Sequence, residues 1–314
     1  MLKENGQAAG GDGMVFDSII IGGGIAGLQT AIQLSRCLRK VAVVDANGGR
    51  STAAKAYRNI LGFPDGVSGK ALREAGRTHA VRLGVQLFSD EVSELSEHDG
   101  LFSARLRVAG SHLQGRTVVL AAGISDPFPD IPGIGACLGK SVFICPDCDG
   151  YETVGQATAV IGAAPQAADM AVQLRYYTDR LTVINHAGSP IGPREGETFQ
   201  SLSLDVLNER VERFDHQNGM LTGLVLSGGD TLSVCRAFLA FPGARVNTDL
   251  LRPFSVRFNE KGHVLVDPRT KETDHRNIWA VGDVIPHSQQ VAIAMGDGAQ
   301  AAIWIHKRLQ ENGE

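Results

Sequence analysis

Two cysteines separated by two residues, in Ile144-Cys145-Pro146-Asp147-Cys148-Asp149-Gly150-Tyr151, have the residue types and spacing best suited to chemistry in this chain. Thiols at this spacing close a disulfide and lower each other's pKa, and the thiolate is the reactive species. A single CxxC is also half of a zinc site. No second CxxC or Cys/His pair at ligand spacing is present to complete four ligands, and Cys137 and Cys235 are isolated, so redox exchange is favoured over metal binding. Asp149 directly follows the second cysteine, where a carboxyl group can protonate a leaving thiolate and speed exchange. Its other reading is a solvated turn carboxylate. Five cysteines, an odd number in a chain of this length, argue against a structural disulfide framework.

The second feature is Gly22-Gly23-Gly24-Ile25-Ala26-Gly27, with glycines at the first, third and sixth positions. Glycine is needed where a turn is tight, where backbone approaches a pyrophosphate and where a helix lies close to a strand; the helix N-terminus then offers unpaired N–H groups to the anion. The motif follows an apolar run, Ser18 to Ile21, and opens a helical pattern from Ala26 to about Leu38. A second buried run, Val41 to Val44, ends at Asp45, whose carboxylate can accept ribose hydroxyls. Near the C-terminus, Trp279-Ala280-Val281-Gly282-Asp283 is a strand ending in a glycine that lets backbone approach a ligand and an acid at its edge.

Other elements must hold these motifs in place. A helix is expected over Ala71–Leu83, and strands over Val85–Leu95, Phe102–Val108 and Val118–Ala122, the last closed by Gly123. The proline-rich segment Asp126 to Gly133 cannot join a ladder and reads as a linker. A second βαβ unit follows: strand Ala157–Ile161, turn at Gly162, helix Gln166–Tyr177 and strand Leu181–Ile184. Phe238–Phe241 with Pro242-Gly243 reads as the exit linker. A last strand, Ile278–Val281, precedes a helix from about Val291 to Leu309. The expected class is α/β, with two Rossmann-like dinucleotide-binding domains, the first split by the second.

A chain of 314 residues accommodates two cores of this kind, and 38 glycines suit many strand-to-helix turns. A net charge of −4 without a Lys/Arg cluster gives no field for a phosphate backbone, so nucleic acid is not an expected partner. No apolar run approaches the roughly 20 residues that span a bilayer, so a soluble protein is expected. Residues 1–13 read as a flexible tail with no signal-peptide pattern, which makes the cytoplasm the default location.

Taken together, the glycine-rich turn, the Ala121-Ala122-Gly123 strand end, the CxxC-Asp-Gly motif and the late Gly282-Asp283 resemble the low-molecular-weight thioredoxin reductase superfamily of FAD-dependent disulfide oxidoreductases. The resemblance runs from Val15 to Leu309. It implies an FAD domain over 14–130 and 243–314, interrupted by an NAD(P)-type domain over 131–242 that carries the cysteines. It further implies FAD contacts from Gly22, Gly24, Ile25, Ala26, Gly27, Asp45, Ala122, Gly123, Gly282, Asp283 and Val291. Asp283 would bind the ribitol, Cys148 would face the flavin, Cys145 would attack the substrate disulfide, and Asp149 would be the acid. A homodimer, a large rotation of the inserted domain, and a thioredoxin-like protein or a small dithiol or disulfide as partner are also implied.

The chain departs from that family in places that bear on its electron source. The second fingerprint, GxGxxA in the family, reads Gly162-Ala163-Ala164-Pro165-Gln166-Ala167, losing the middle glycine. The basic cluster that holds the 2′-phosphate of NADPH is replaced by Asn185-His186-Ala187-Gly188-Ser189-Pro190, with Arg194 the one nearby cation considered as a stand-in. Without arginines to pair bidentately with a phosphate, affinity for NADPH is expected to fall sharply. The family's Arg-Gln-Ala is altered to Gln289-Gln290-Val291. The stretch Gly49-Arg50-Ser51 through Tyr57-Arg58-Asn59 to Gly66, which covers the flavin in the family, looks closer to divergent branches: deeply rooted and ferredoxin-type reductases that do not use pyridine nucleotides, and dithiol oxidases. Arg50 and Asn59 are its candidate FAD contacts, and ferredoxin joins the candidate electron donors. Trp304 is read as core or as a flavin-stacking ring. A dithiol oxidase that passes electrons to oxygen, and a non-catalytic flavin-binding redox sensor, stand as alternatives; such oxidases often carry His after the second cysteine, so Asp149 leans toward reduction.

Overall fold

The computed structural model describes residues 14–313; the tail read over 1–13 lies outside the described residues. The chain divides into two compact units. The first gathers residues up to Thr52, Lys70–Ser125 and Arg245 onward; the second gathers Ala53–Gly69 and Asp126–Ala244. The second unit thus takes in both segments read as linkers, and the exit one is not a linker, since Phe238 to Ala240 are buried strand residues of its sheet; it also takes in the segment 53–69 that contains Arg58 and Asn59.

The first unit is built on a seven-stranded sheet. Gln86–Phe88, Val41–Val44, Val15–Ile21 and His112–Leu120 run parallel in that order. The far edge of His112–Leu120 is shared: Leu101–Leu106 pairs antiparallel with its first half, and Ile278–Ala280 pairs parallel with its second. Val92–His98 closes the antiparallel side. Successive residues of the central strand point to opposite faces, and both faces are covered, which is why the strand is an apolar run rather than an alternating one. Ile19 and Ile21 enter one core with Phe102 and Ile278, whereas Ile20 enters another with Leu28, Trp279 and Ile305. Helices Ile25–Arg36 and Val291–Glu311 supply that second face.

The second unit holds a five-stranded, wholly parallel sheet in the order Asp205–Leu207, Leu181–Ile184, Thr158–Gly162, Arg236–Ala240, Val142–Phe143. Helix Ala164–Leu174 buries Ala167, Ala168, Ala171 and Leu174, a stripe at helical spacing. An antiparallel sheet of Val211–Gln217, Met220–Leu226 and Thr231–Leu232 packs Phe214 and Leu224 into the same unit's core. Among the described residues no helix is long and apolar enough to cross a membrane.

Candidate active site

Cys145 and Cys148 form a disulfide, with Cα atoms 5.3 Å apart. Their carrier is the four-residue helix Pro146–Asp149, which follows the short strand Val142–Phe143. Cys145 is its extended N-cap and Pro146 stands where a helix needs no N–H. The N–H groups of Cys148 and Asp149 both donate to the Cys145 carbonyl, at 3.2 and 3.1 Å, so the turn that spaces the two sulfurs is closed by backbone. Gly150 continues into a 3₁₀ turn. A Cβ there would stand 2.6 Å from the Tyr177 ring, so glycine is required by close packing after the Cys-x-x-Cys-Asp sequence. On the flank of the helix, Pro146, Asp147, Gln173, Tyr176 and Tyr177 line a hollow of about 210 Å³.

Asp149 has its pKa pushed up to about 7, first by burial and then by the negative charge of Glu152, with the Arg58 guanidinium opposing. Arg58 pairs with Glu152 at 3.4 Å, and Arg236 Nε donates to the Glu152 carbonyl at 3.0 Å. Below pH 7 the carboxyl group therefore carries a proton that a departing thiolate can take. As the pH rises through about 7 that proton is lost, and dithiol exchange is expected to slow. The same shift sets the sign for stability: a carboxyl with a raised folded pKa contributes fully below its unfolded value near 4 and loses that contribution as the pH passes its folded value. Asp149→Asn is expected to lower turnover by about 10²–10⁴-fold at pH 6 and to lack a rate limb near pH 7. Its melting temperature should gain on the wild type between pH 4 and pH 8. A limb near 7 that survives in the variant would assign the proton to another group.

In the first unit the glycine turn joins strand Val15–Ile21 to helix Ile25–Arg36. Gly22 has φ +112°, and a Cβ there would lie 2.3 Å from the Ala121 carbonyl oxygen. At Gly27 a Cβ would lie 2.0 Å from the Gly22 oxygen, whereas at Gly24 it would meet nothing within 4 Å. The helix opens on Gly24 without a side-chain cap, and the open space lies beside Gly24 itself, since Ala26 is buried. Tight turn, open approach and uncapped helix start are together what a pyrophosphate requires. Asp45 sits at the end of Val41–Val44 but is not a lone acceptor. Arg73 and Arg77 reach its Oδ2 at 2.8 and 3.0 Å, and the Asn47 N–H reaches its Oδ1 at 3.1 Å. These two arginines lie 28 and 32 residues away on helix Gly69–Arg82, and nothing in the local motif announces them.

The strand end at Ala122 and Gly123 is held by Asn247, whose Nδ2 donates to the Ala122 carbonyl at 3.0 Å and whose N–H donates to the Gly123 carbonyl at 3.0 Å. Gly282 N–H donates to Asp297 Oδ2 at 3.1 Å. Asp297 also holds His287 at 2.6 Å and Lys271 at 3.0 Å. Burial pushes the Asp297 carboxyl up, but the His287 hydrogen bond and Lys271 outweigh it and hold it below the usual range; the same bond raises the His287 pKa. Asp283 lies 3.6 Å from Arg50, which also hydrogen-bonds Gln289. Arg50, Gln289 and Asp283 are thus brought together, and Val291 begins the helix that follows. His263 Nδ1 is buried without a hydrogen-bond partner, in a place where the charges of His287 and Asp283 reach the ring. An open glycine turn, the acid Asp283 after the last strand and an orphaned buried nitrogen near it fit FAD. Trp304 is half-buried with Lys307 and Arg269 over its ring at 4.5 and 5.1 Å. Exposed Asn59 belongs to the segment gathered into the second unit.

The second unit's turn is built differently. At Gly162 a Cβ would stand 1.9 Å from the Ala240 oxygen, so the first glycine is kept by packing alone. Ala164 is fully buried and Pro165 follows it in the first turn of the helix. Arg194 pairs with Asp169 of that helix, and its charge is engaged there. Among the described residues no group of three or more His, Cys, Asp or Glu is placed to hold a metal ion.

The model of the pyridine nucleotide-disulphide oxidoreductase family matches residues 16–298. The chain is 28% identical over 309 residues to the bifunctional thioredoxin reductase/thioredoxin of Mycobacterium leprae, covering 95% of this chain and 67% of that protein. It is 28% identical over 296 residues to the thioredoxin reductase of Treponema pallidum, covering 91% and 95%. Among solved structures it is similar to HlmI, with a TM-score of 0.85, 29% identity, and coverage of 95% of this chain and 94% of that one. Fold, redox disulfide and family match converge: the chain belongs to the pyridine nucleotide-disulphide oxidoreductases, as a thioredoxin reductase-like, FAD-dependent disulfide oxidoreductase.

Proposed function

We propose that this enzyme reduces a disulfide of a thioredoxin-like protein or small molecule through Cys145 and Cys148, with electrons that do not come from NADPH. The observation that carries the reading is the closed Cys145–Cys148 disulfide followed by an acid that titrates near 7. In its dithiol form, Cys145 attacks one sulfur of the substrate disulfide, and the sulfur expelled takes its proton from Asp149. Cys148 then attacks Cys145, releasing the second substrate thiol and restoring the intramolecular disulfide. Two electrons pass to the substrate for each disulfide formed. Bound FAD supplies the two-electron couple that returns the pair to the dithiol form. Gly22, Gly24, Ile25, Ala26 and Gly27 would hold its pyrophosphate, Asp45, with Arg73 and Arg77, would meet the adenosine end, and Asp283 would meet the ribityl chain, with Arg50, Ala122, Gly123, Gly282 and Val291 around it. Asn59 is retained as a candidate contact from the 53–69 segment.

The electron donor is tested by anaerobic titration of the purified flavoprotein with NADPH, NADH, reduced ferredoxin and dithionite, following the visible flavin absorbance. Bleaching by ferredoxin and dithionite but not by stoichiometric NADPH is the expected result. Rapid bleaching by stoichiometric NADPH would overturn the donor assignment and leave the thiol chemistry standing.

A further inference from the structure

The two strand-turn-helix units of this chain share one plan, and they differ in what stands at the helix start. In the first, the third glycine-motif position is Gly24, open to at least 4 Å, the helix has no side-chain cap, and the second strand ends in Asp45. In the second, the same position is Ala164, fully buried, and its N–H donates to Ser189 Oγ at 2.7 Å. The hydroxyl donates in turn to Asn185 Oδ1 at 3.0 Å. Asn185 stands after strand Leu181–Ile184, the place that Asp45 holds in the first unit, and is only 2% exposed. Its Nδ2 donates to the Ser189 carbonyl at 2.8 Å and to Asn208 Oδ1 at 2.9 Å. Every polar atom of the Asn185 amide is thus engaged in fixing the loop 185–189. Pro165 removes a further N–H from the helix start.

We infer that Ser189, held by Asn185, is a built-in plug of the inserted unit's nucleotide turn: its hydroxyl takes the hydrogen bond that a phosphate oxygen takes at an open turn. The inference rests on the reading that NADPH is not the donor, and it names the residues that exclude the dinucleotide. A diphosphate entering this turn must displace the Ser189 oxygen from the Ala164 N–H and unmake a buried network in which each member satisfies another, which disfavours binding. The missing arginines weaken attraction for the 2′-phosphate, whereas the plug acts on any dinucleotide, phosphorylated or not.

The test uses the FAD-loaded full chain and two probes, ADP and NADPH, with binding measured by calorimetry. The wild type is expected to bind neither saturably at millimolar concentration, and Ala164→Gly/Ser189→Gly to gain ADP affinity by about tenfold or more. Ser189→Thr, which keeps the hydroxyl, should stay closed. Micromolar binding of NADPH by the wild type would overturn the donor reading and the plug together. A folded double variant that binds ADP no better than the wild type would overturn the plug alone. Amide exchange over residues 163–167 is an independent measure if the double variant folds poorly. It should rise in Ser189→Ala and not in Ser189→Thr, and unchanged exchange in Ser189→Ala would also refute the plug.

Discussion

Replacing Cys148 by serine is expected to lower disulfide reduction by at least about 10³-fold while FAD stays bound. The substitution changes one atom on a four-residue helix whose turn is closed by backbone bonds to Cys145, so the fold has little reason to respond. The chemistry has every reason to. Serine forms no disulfide, so the pair loses its two-electron store, and Cys145 can attack a substrate disulfide but nothing resolves the product. A mixed disulfide through Cys145 should therefore accumulate, visible as a band shift on a non-reducing gel with a thioredoxin-like partner. Cys145→Ser should give neither turnover nor that band. Unchanged turnover in Cys148→Ser would remove the thiol pair from the reaction.

The second large effect is expected at the first glycine turn, where two substitutions separate packing from ligand approach. Gly27→Ala places a methyl 2.0 Å from the Gly22 oxygen and 3.2 Å from Ile20 Cγ2, so strand and helix must part. Overpacking of this kind costs about 1–3 kcal/mol, and a displaced turn should also lose FAD. Gly24→Ala meets no protein atom within 4 Å, so it should leave thermal stability nearly unchanged. Its methyl instead projects into the space proposed for the pyrophosphate, and FAD affinity is expected to fall about 100-fold, roughly 2.7 kcal/mol. The flavin-to-protein absorbance ratio after gel filtration, read beside the melting temperature, distinguishes the two. If Gly24→Ala retained stoichiometric FAD through dilution, the pyrophosphate would have to be placed elsewhere.

Both βαβ units were legible in the sequence because a parallel strand buried on two faces is a short unbroken apolar run, and Val41–Val44 and Leu181–Ile184 are found where that rule puts them. Boundaries were less so. The first helix stops at Arg36 because Leu38 turns to φ +61°, and the stretch read as one strand over Val85–Leu95 breaks at Asp90. Asp90 spends its carboxylate on the N–H groups of Glu91, Val108 and Ala109, a local arrangement that no periodicity reveals. The antiparallel sheet over 211–232 escaped because its strands are half exposed and carry charges, as in Val-Glu-Arg-Phe-Asp-His-Gln. In the candidate site, cysteines, acid and glycines could be read from spacing. The partners of Asp45 and Gly282 could not, because Arg73, Arg77 and Asp297 reach them through tertiary packing. At Asn185–Pro190 the sequence displayed missing arginines. That the serine and asparagine do something there follows only from the hydrogen bonds.

Strand Ile278–Ala280 pairs with His112–Leu120, so the first unit's sheet joins segments made about 160 residues apart. At roughly 5–20 residues per second, a ribosome needs on the order of 10–30 s to deliver the later one. The parallel sheet of the second unit, whose strands all lie between Val142 and Ala240, leaves the exit tunnel within that interval. Nascent chains halted at about residue 270 should therefore already protect the cysteine-bearing unit from protease, while the flavin-binding sheet still lacks a strand. In the order of synthesis, the redox disulfide's scaffold is completed first and the cofactor's last.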